Sequence, residues 1–248
     1  AWGLGAVLPR LGVPGVDALL ALWPLLAWAV TLVAVAGVAN AVNIIDGFNG
    51  LAAATSMLMF AAFGYVAWAL GDAFIVQVCL AMIGALAGFF VWNYPRGLIF
   101  LGDGGAYLVG FLLAEVAVLL VVRHPQLSPW FCLLVCAYPI TETLFSIYRR
   151  WRHACHPGMP DRLHLHSLIC RRVLRGASRT PETKIRRNSA TSPYLWGLTG
   201  VAVLPAVLAW RQPWAMVLGV AGFVAVYVAL YCAIVRMRTP SWLRRRLA

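Results

Sequence analysis

Apolar stretches dominate this chain and leave it few ways to fold. Seven of them, over 19–42, 51–70, 74–92, 105–122, 129–147, 193–210 and 214–235, are each near the roughly 20 residues that carry a helix across a bilayer. The residues between them are too few for a second fold. The longest connection, 148–192, has 45 residues, fewer than an ordinary domain needs. The expected fold is therefore all-α: one integral-membrane domain over 1–248 with about seven transmembrane helices. Composition agrees. Hydrophobic residues make up 62% of the chain and charged residues 11%, where soluble domains carry about 25% charged. A soluble domain and a disordered chain are both excluded. The net charge of +12 could suit nucleic acid, but a mean hydropathy of +0.81 argues against that partner. The six cysteines form no disulfide framework: four lie in apolar runs, and Cys155 and Cys170 lie in a basic loop expected to face a reducing compartment.

Seven crossings fix which connections share a side. One side holds 43–50, 93–104, 148–192 and the tail after 235, with 17 Lys and Arg; the other holds Arg10, Arg123 and Arg211. Excess Arg marks cytoplasmic loops, so the first side is expected in the cytoplasm. An active site on such a chain must be assembled from loops at the membrane surface.

Three polar motifs fall on that side. In the first, Asn40, Asn43 and Asp46 recur every third residue and form one stripe at the end of the first span. Gly47 and Asn49-Gly50 then permit a tight reversal. A glycine-capped polar helix end is the plain alternative. In the second, Gly102-Asp103-Gly104-Gly105 follows Asn93-Tyr94-Pro95-Arg96. Glycines let backbone approach a ligand, the next helix presents free N–H groups to an anion, and Asp103 could hold Mg²⁺ between phosphate oxygens. Asp103 could equally cap the helix. In the third, Pro160-Asp161-Arg162-Leu163-His164-Leu165-His166-Ser167, the alternation of an extended strip would put Arg162, His164 and His166 on one face, suited to a pyrophosphate. The leucine face could then lie on the membrane boundary. A basic loop attracted to anionic lipid is one alternative. A zinc clip of His153, Cys155, His156, His164, His166 and Cys170 is another, though its spacing matches no familiar zinc pattern. Two carboxylates lie inside spans: Glu115 near the middle of one, read as structural, and Glu142 close to the cytoplasmic end of another, able to face the site from below.

With these residues in place, the chain resembles the polyprenyl-phosphate N-acetylhexosamine-1-phosphate transferases, a glycosyltransferase family 4 group. It includes the initiating enzymes of O-antigen and enterobacterial common antigen and the translocase that makes the first lipid intermediate of peptidoglycan. Asn40-Ala-Val-Asn43-Ile-Ile-Asp46-Gly47, Phe100-Leu-Gly-Asp103-Gly and Pro160-Asp161-Arg162-Leu-His164-Leu-His166 look like three of its signatures, in the family's order and spacing. Pro139-Ile-Thr-Glu142 and Arg149-Arg150 look like the helix before the third. The form of the third motif is closer to the O-antigen branch. Two departures stand out. Family members carry an earlier aspartate pair, and no Asp-Asp occurs here; Ser167 stands where relatives often have another histidine. The chain therefore reads as the C-terminal seven spans of a ten- or eleven-span fold.

The resemblance implies transfer of an N-acetylhexosamine-1-phosphate from a UDP-sugar to undecaprenyl phosphate, releasing UMP and initiating lipopolysaccharide or other cell-wall glycan synthesis at the bacterial inner membrane. It implies Mg²⁺ or Mn²⁺ on Asp103 and Asp46, both catalytic, with Asn43, Asp161, Arg162, His164 and His166 binding substrate. A second copy or an N-terminal fragment is the protein partner it allows, and no nucleic acid is expected. The alternatives are a non-catalytic remnant or half-enzyme that binds polyprenyl phosphate and, further off, a transporter, which would need polar residues along a path at the midplane.

Overall fold

The computed structural model describes residues 5–152, 163–175, 180–236 and 245–246. In chain order the helices are α1 (Pro14–Leu22), α2 (Pro24–Ile45), α3 (Leu51–Ala69), α4 (Ala73–Asn93), α5 (Gly102–Arg123), α6 (Pro129–Val135), α7 (Ala137–Arg152), α8 (Leu165–Leu168), α9 (Pro181–Ala209) and α10 (Pro213–Val235). A single π-helical turn, Ile169–Val173, follows α8. Among the described residues, the extended pairing is one two-residue parallel contact, β1 (Leu174–Arg175) with β2 (Arg245–Arg246). Six helices (α2, α3, α4, α5, α9 and α10) are long and apolar enough to cross a membrane, and α6 with α7 makes a seventh if taken together. The chain is an all-α polytopic membrane protein. Helices suit that setting because they satisfy backbone N–H and C=O groups internally, where lipid offers no partner.

Burial sorts the helices. In α3 and α5, 61% of the apolar window is buried inside the protein, against 17% in α4 and 22% in α10. Thus α3 and α5 form the centre, and the flanking helices turn their leucines, valines and tryptophans outward. The centre is tight where α5 crosses α2: a Cβ on Gly110 would lie 2.7 Å from the Ala39 Cα. That approach is open only to glycine, and small residues at helix crossings are the usual means of such packing in membranes.

Several boundaries differ from those expected. The first span does not start at 19. The chain breaks at Trp23, because a residue before proline is pushed out of the helical region, and α2 starts at Pro24 and runs to Ile45. The fifth span is not straight. It breaks between Val135 and Ala137, and the two pieces meet at 78°. Pro139 explains the break: it has no N–H, and its ring would collide with the carbonyl four residues back, at Val135. The sixth span begins at Pro181 rather than 193, with the Thr180 hydroxyl accepting the Thr183 N–H at 3.3 Å. Residues 181–192, expected in a loop, are helical.

At the end opposite the three motifs, Asp72 ties the turns together. It caps α4 by accepting the Ile75 N–H at 3.2 Å and receives Arg123 Nε at 2.5 Å and His124 Nε2 at 3.0 Å. Burial would raise its carboxyl, but hydrogen bonds from Arg123, Ile75 and His124 and the Arg123 charge hold it below the ordinary value. Glu115 lies buried between α4 and α5 beside a cavity of about 160 Å³ walled by Phe74, Val78 and Phe111, away from the motifs.

The Gly110 crossing carries a prediction. Gly110→Ala should force α2 and α5 apart and lower the thermal midpoint in detergent by about 3–8 °C, the effect of about 1–2 kcal/mol of overpacking. Gly88→Ala, where a Cβ meets nothing within 4 Å, should not lower it.

Candidate active site

The site is built on the reversal between α2 and α3. Asp46 closes α2, its N–H bonded to the Asn43 carbonyl at 3.1 Å, and Gly50 opens α3 at φ +73°. Glycine is needed there twice over, since a Cβ would also lie 2.8 Å from the Tyr94 ring. The turn is held from two other elements. The Asn49 N–H donates to Asn188 Oδ1 at 2.7 Å, and Asn49 Nδ2 donates to the Pro95 carbonyl at 2.9 Å. Ser192 Oγ donates to the Asn49 carbonyl at 2.6 Å, and Trp196 Nε1 donates to the Gly50 carbonyl at 3.1 Å. From α4, Asn93 accepts the Gly50 N–H at 2.5 Å and donates to the Ile99 carbonyl at 2.7 Å. Ser189 Oγ donates to the Pro95 carbonyl as well. Asn49 is therefore a buried structural hub. The serines and asparagine of α9 that fasten it were missed in the sequence, where they read as loop, 140 residues from their partners.

The second motif meets the first directly. Asn43 Nδ2 donates to Asp103 Oδ1 at 3.0 Å, joining the end of α2 to the first turn of α5. Asp103 does not occupy the capping position, which falls on Leu101. Its carboxylate instead accepts from another helix, and the plain reading as a cap is not met. Asp46 is half-buried and close enough to Asp103 to be repelled. Burial first, and that repulsion second, raise its carboxyl from 3.8 to about 7. Asn40, the third member of the stripe, lies in the wall of the groove described below.

The third motif packs on the first. Asp161 and Arg162 lie outside the described residues. His164 is extended (φ −60°, ψ 148°), but the strip does not continue as a strand, because α8 begins at Leu165. The two imidazoles still meet, stacked at 5.1 Å with planes 12° apart. The His166 ring lies edge-on to Phe48 at 5.2 Å, and a Cβ on Gly47 would lie 3.8 Å from its Nε2. Leu165, expected on the membrane boundary, is fully buried in the protein. Glu142 does reach this segment from below: its Oε1 is 3.0 Å from His164 Nδ1 and accepts the Leu165 N–H at 2.8 Å. Of the zinc clip, His153, Cys155 and His156 lie outside the described residues. Among those described, no group of three or more His, Cys, Asp or Glu converges as a metal site would.

An apolar groove of about 450 Å³ runs between α2, α5 and the bent α6–α7 pair. Val33, Gly37 and Val118 wall its middle. Asn40 and Ile147 lie at the end nearest the motifs, and Leu8 and Pro129 at the other. The arrangement thus sets two acidic side chains and two imidazoles at one end of the helices, beside an apolar groove. Polar groups there can hold phosphates and a cation while an apolar chain lies between helices.

Comparison with known proteins agrees with these features. The model of glycosyl transferase family 4 matches residues 1–121. An undecaprenyl-phosphate alpha-N-acetylglucosaminyl 1-phosphate transferase of Escherichia coli K12 is 36% identical over 149 residues, 57% of this chain and 40% of that protein. The protein of the same name from Salmonella typhi is 34% identical over the same shares. A probable undecaprenyl-phosphate N-acetylglucosaminyl 1-phosphate transferase of Bacillus subtilis is 30% identical over 142 residues, again 57% of the chain and 40% of the relative. The chain spans about 40% of the length of these relatives. Residues 1–121, which hold the first two motifs, are similar to glycosyl transferase family 4.

Proposed function

We propose that this chain carries the reaction site of a transferase that moves an N-acetylhexosamine-1-phosphate from a UDP-sugar to undecaprenyl phosphate and releases UMP. N-acetylglucosamine is the first sugar to test, because the relatives are named for it. The observation that carries the reading is the convergence of Asn43, Asp46, Asp103, His164 and His166 at one end of the helices, beside an apolar groove that ends at Asn40. The distribution of 17 Lys and Arg on that side against 3 on the other supports a cytoplasmic site in a bacterial inner membrane.

In the reaction, an oxygen of the lipid phosphate forms a bond to the sugar-bearing phosphorus, and the bond from that phosphorus to the oxygen of UMP breaks. Both reactants are anions, so bringing them together costs electrostatic free energy that the site must offset. Asp46 and Asp103 suit a divalent cation, because their repulsion is relieved when a positive charge enters between them. Mg²⁺ commonly takes one or two carboxylates and fills its remaining positions with water and phosphate oxygens, which fits a site with two described carboxylates. When bound there, it would neutralise charge on the diphosphate. Asn43 holds Asp103 in place, and His164 and His166 offer ring N–H groups to phosphate oxygens. Asp161 and Arg162, which the resemblance assigns to substrate binding, lie outside the described residues. The groove takes the polyprenyl chain and keeps its phosphate at the membrane surface.

The test is transfer of labelled N-acetylglucosamine phosphate from UDP-sugar to undecaprenyl phosphate in membranes holding the chain, with UMP counted against lipid product. Asp103→Asn should lower transfer at least about 100-fold with normal expression, removing charge stabilisation. Turnover like that of wild type would remove Asp103 from the reaction. A second reading is binding without turnover. It expects saturable retention of labelled lipid phosphate and no UMP.

The acidic pair also sets a pH dependence. Asp46 titrates near 7 when folded and near 3.8 otherwise, so between these values the folded state binds more protons and stability falls as pH rises. In EDTA, Asp46→Asn should leave stability near wild type below pH 4 and raise it at pH 8. Solvent at the open site screens the repulsion, so the gain is about 1–2 kcal/mol. Thermal unfolding across pH measures it, and adding Mg²⁺ at pH 8 should stabilise wild type more than the variant.

A further inference from the structure

Helix α7 grips the third motif at two points on one face. Glu142 and Arg149 are seven residues, two turns, apart. Arg149 Nη1 donates to the Leu163 carbonyl at 2.8 Å and to Tyr231 Oη at 2.8 Å. Glu142 takes the other end of the segment, through His164 and the Leu165 N–H. It is 1% exposed, on the inner side of an otherwise two-faced helix whose outer side shows Leu144, Ile147 and Trp151. A carboxyl buried this deeply is costly unless donors surround it.

The geometry settles the direction of the Glu142–His164 bond. Glu142 Oε1 already accepts the Leu165 N–H, so it acts as an acceptor toward the ring too. A neutral His164 must then carry its proton on Nδ1. Nε2 becomes the atom that offers a lone pair, or a second N–H once the ring is protonated. The plane of the ring is fixed as well. His164 stacks on His166, which is 4% exposed and rests on Phe48 of the first motif, two residues from Asp46. We infer that Glu142 is a positioning residue: it fixes the tautomer and plane of His164 so that Nε2, and not Nδ1, serves the diphosphate of the sugar donor. This role rests on the transferase reading for its substrate, but the tautomer itself does not. The same logic holds metal-bound and catalytic histidines in place through a carboxylate on the far ring nitrogen.

Two measurements test it. The first needs no turnover. With ¹⁵N-histidine in lipid nanodiscs, the His164 resonance, assigned by its loss in His164→Gln, should show the Nδ1–H tautomer. That signature should persist in Glu142→Gln, whose amide oxygen still accepts, and disappear in Glu142→Ala. An Nε2–H tautomer in wild type overturns the proposal. The second is kinetic. Glu142→Ala should raise KM for UDP-sugar about 10–100-fold with KM for the lipid phosphate unchanged, and Glu142→Gln should stay within about threefold of wild type. In the His164→Ala background, Glu142→Ala should have no further effect. Multiplying losses, or a Gln variant as poor as Ala, would assign Glu142 to general stability and sink the idea. If wild type shows the Nδ1–H signature but no transfer, positioning stands and the transferase reading fails.

Discussion

The Asn49–Gly50 turn is the point on which the motif end of the molecule depends. A reversal between two membrane helices strips the backbone of its helical partners beside a medium that supplies none. Here those partners come from α4 and α9: Asn93, Asn188, Ser192 and Trp196 each bond one group of the turn, and Asn49 returns a bond to Pro95. Because the ties reach both α4 and α9, the turn holds those two helices in register with α2 and α3. Its rigidity is what lets Asp46, three residues earlier, sit in a fixed relation to Asp103.

That relation is unfavourable by itself. Two carboxyls share a partly desolvated corner, and burial together with the nearby Asp103 charge pushes the Asp46 carboxyl up to about 7. A perturbed carboxyl beside a second charge, in a half-open corner, is the kind of feature that singles out a candidate site. Asn43 adds to the effect by fixing the Asp103 carboxylate, which can no longer turn away.

Helix α7 serves two environments. Its break from α6 follows from Pro139, and the bend swings the helix so that Leu144, Ile147 and Trp151 stay exposed. The opposite face holds Glu142, Ser146 and Arg149 against the third motif and α10. One helix thereby borders the apolar groove and contacts the His164 imidazole.

Much of this was legible in the sequence, because hydropathy and residue chemistry are local. The apolar lengths determined that the chain is a helical membrane protein. The placement of Asn43, Asp46, Asp103 and the histidines between those lengths pointed to the candidate site, and the fold brings these side chains to one end of the helices. Composition could not reveal that α9 begins twelve residues before its apolar stretch, since Thr183 to Ser192 is polar and is held by partners more than 90 residues away in sequence. Nor could it show that Leu165 turns inward or that Asp103 pairs with Asn43 rather than capping its own helix. The bend at Cys136 was written in Pro139, but its angle depends on packing. The sequence by itself determined which stretches are long and apolar enough to cross a membrane, because transfer between water and lipid is a property of each side chain. Which polar groups bond to one another was decided by the tertiary structure alone, because that depends on distances set by all the helices packed together.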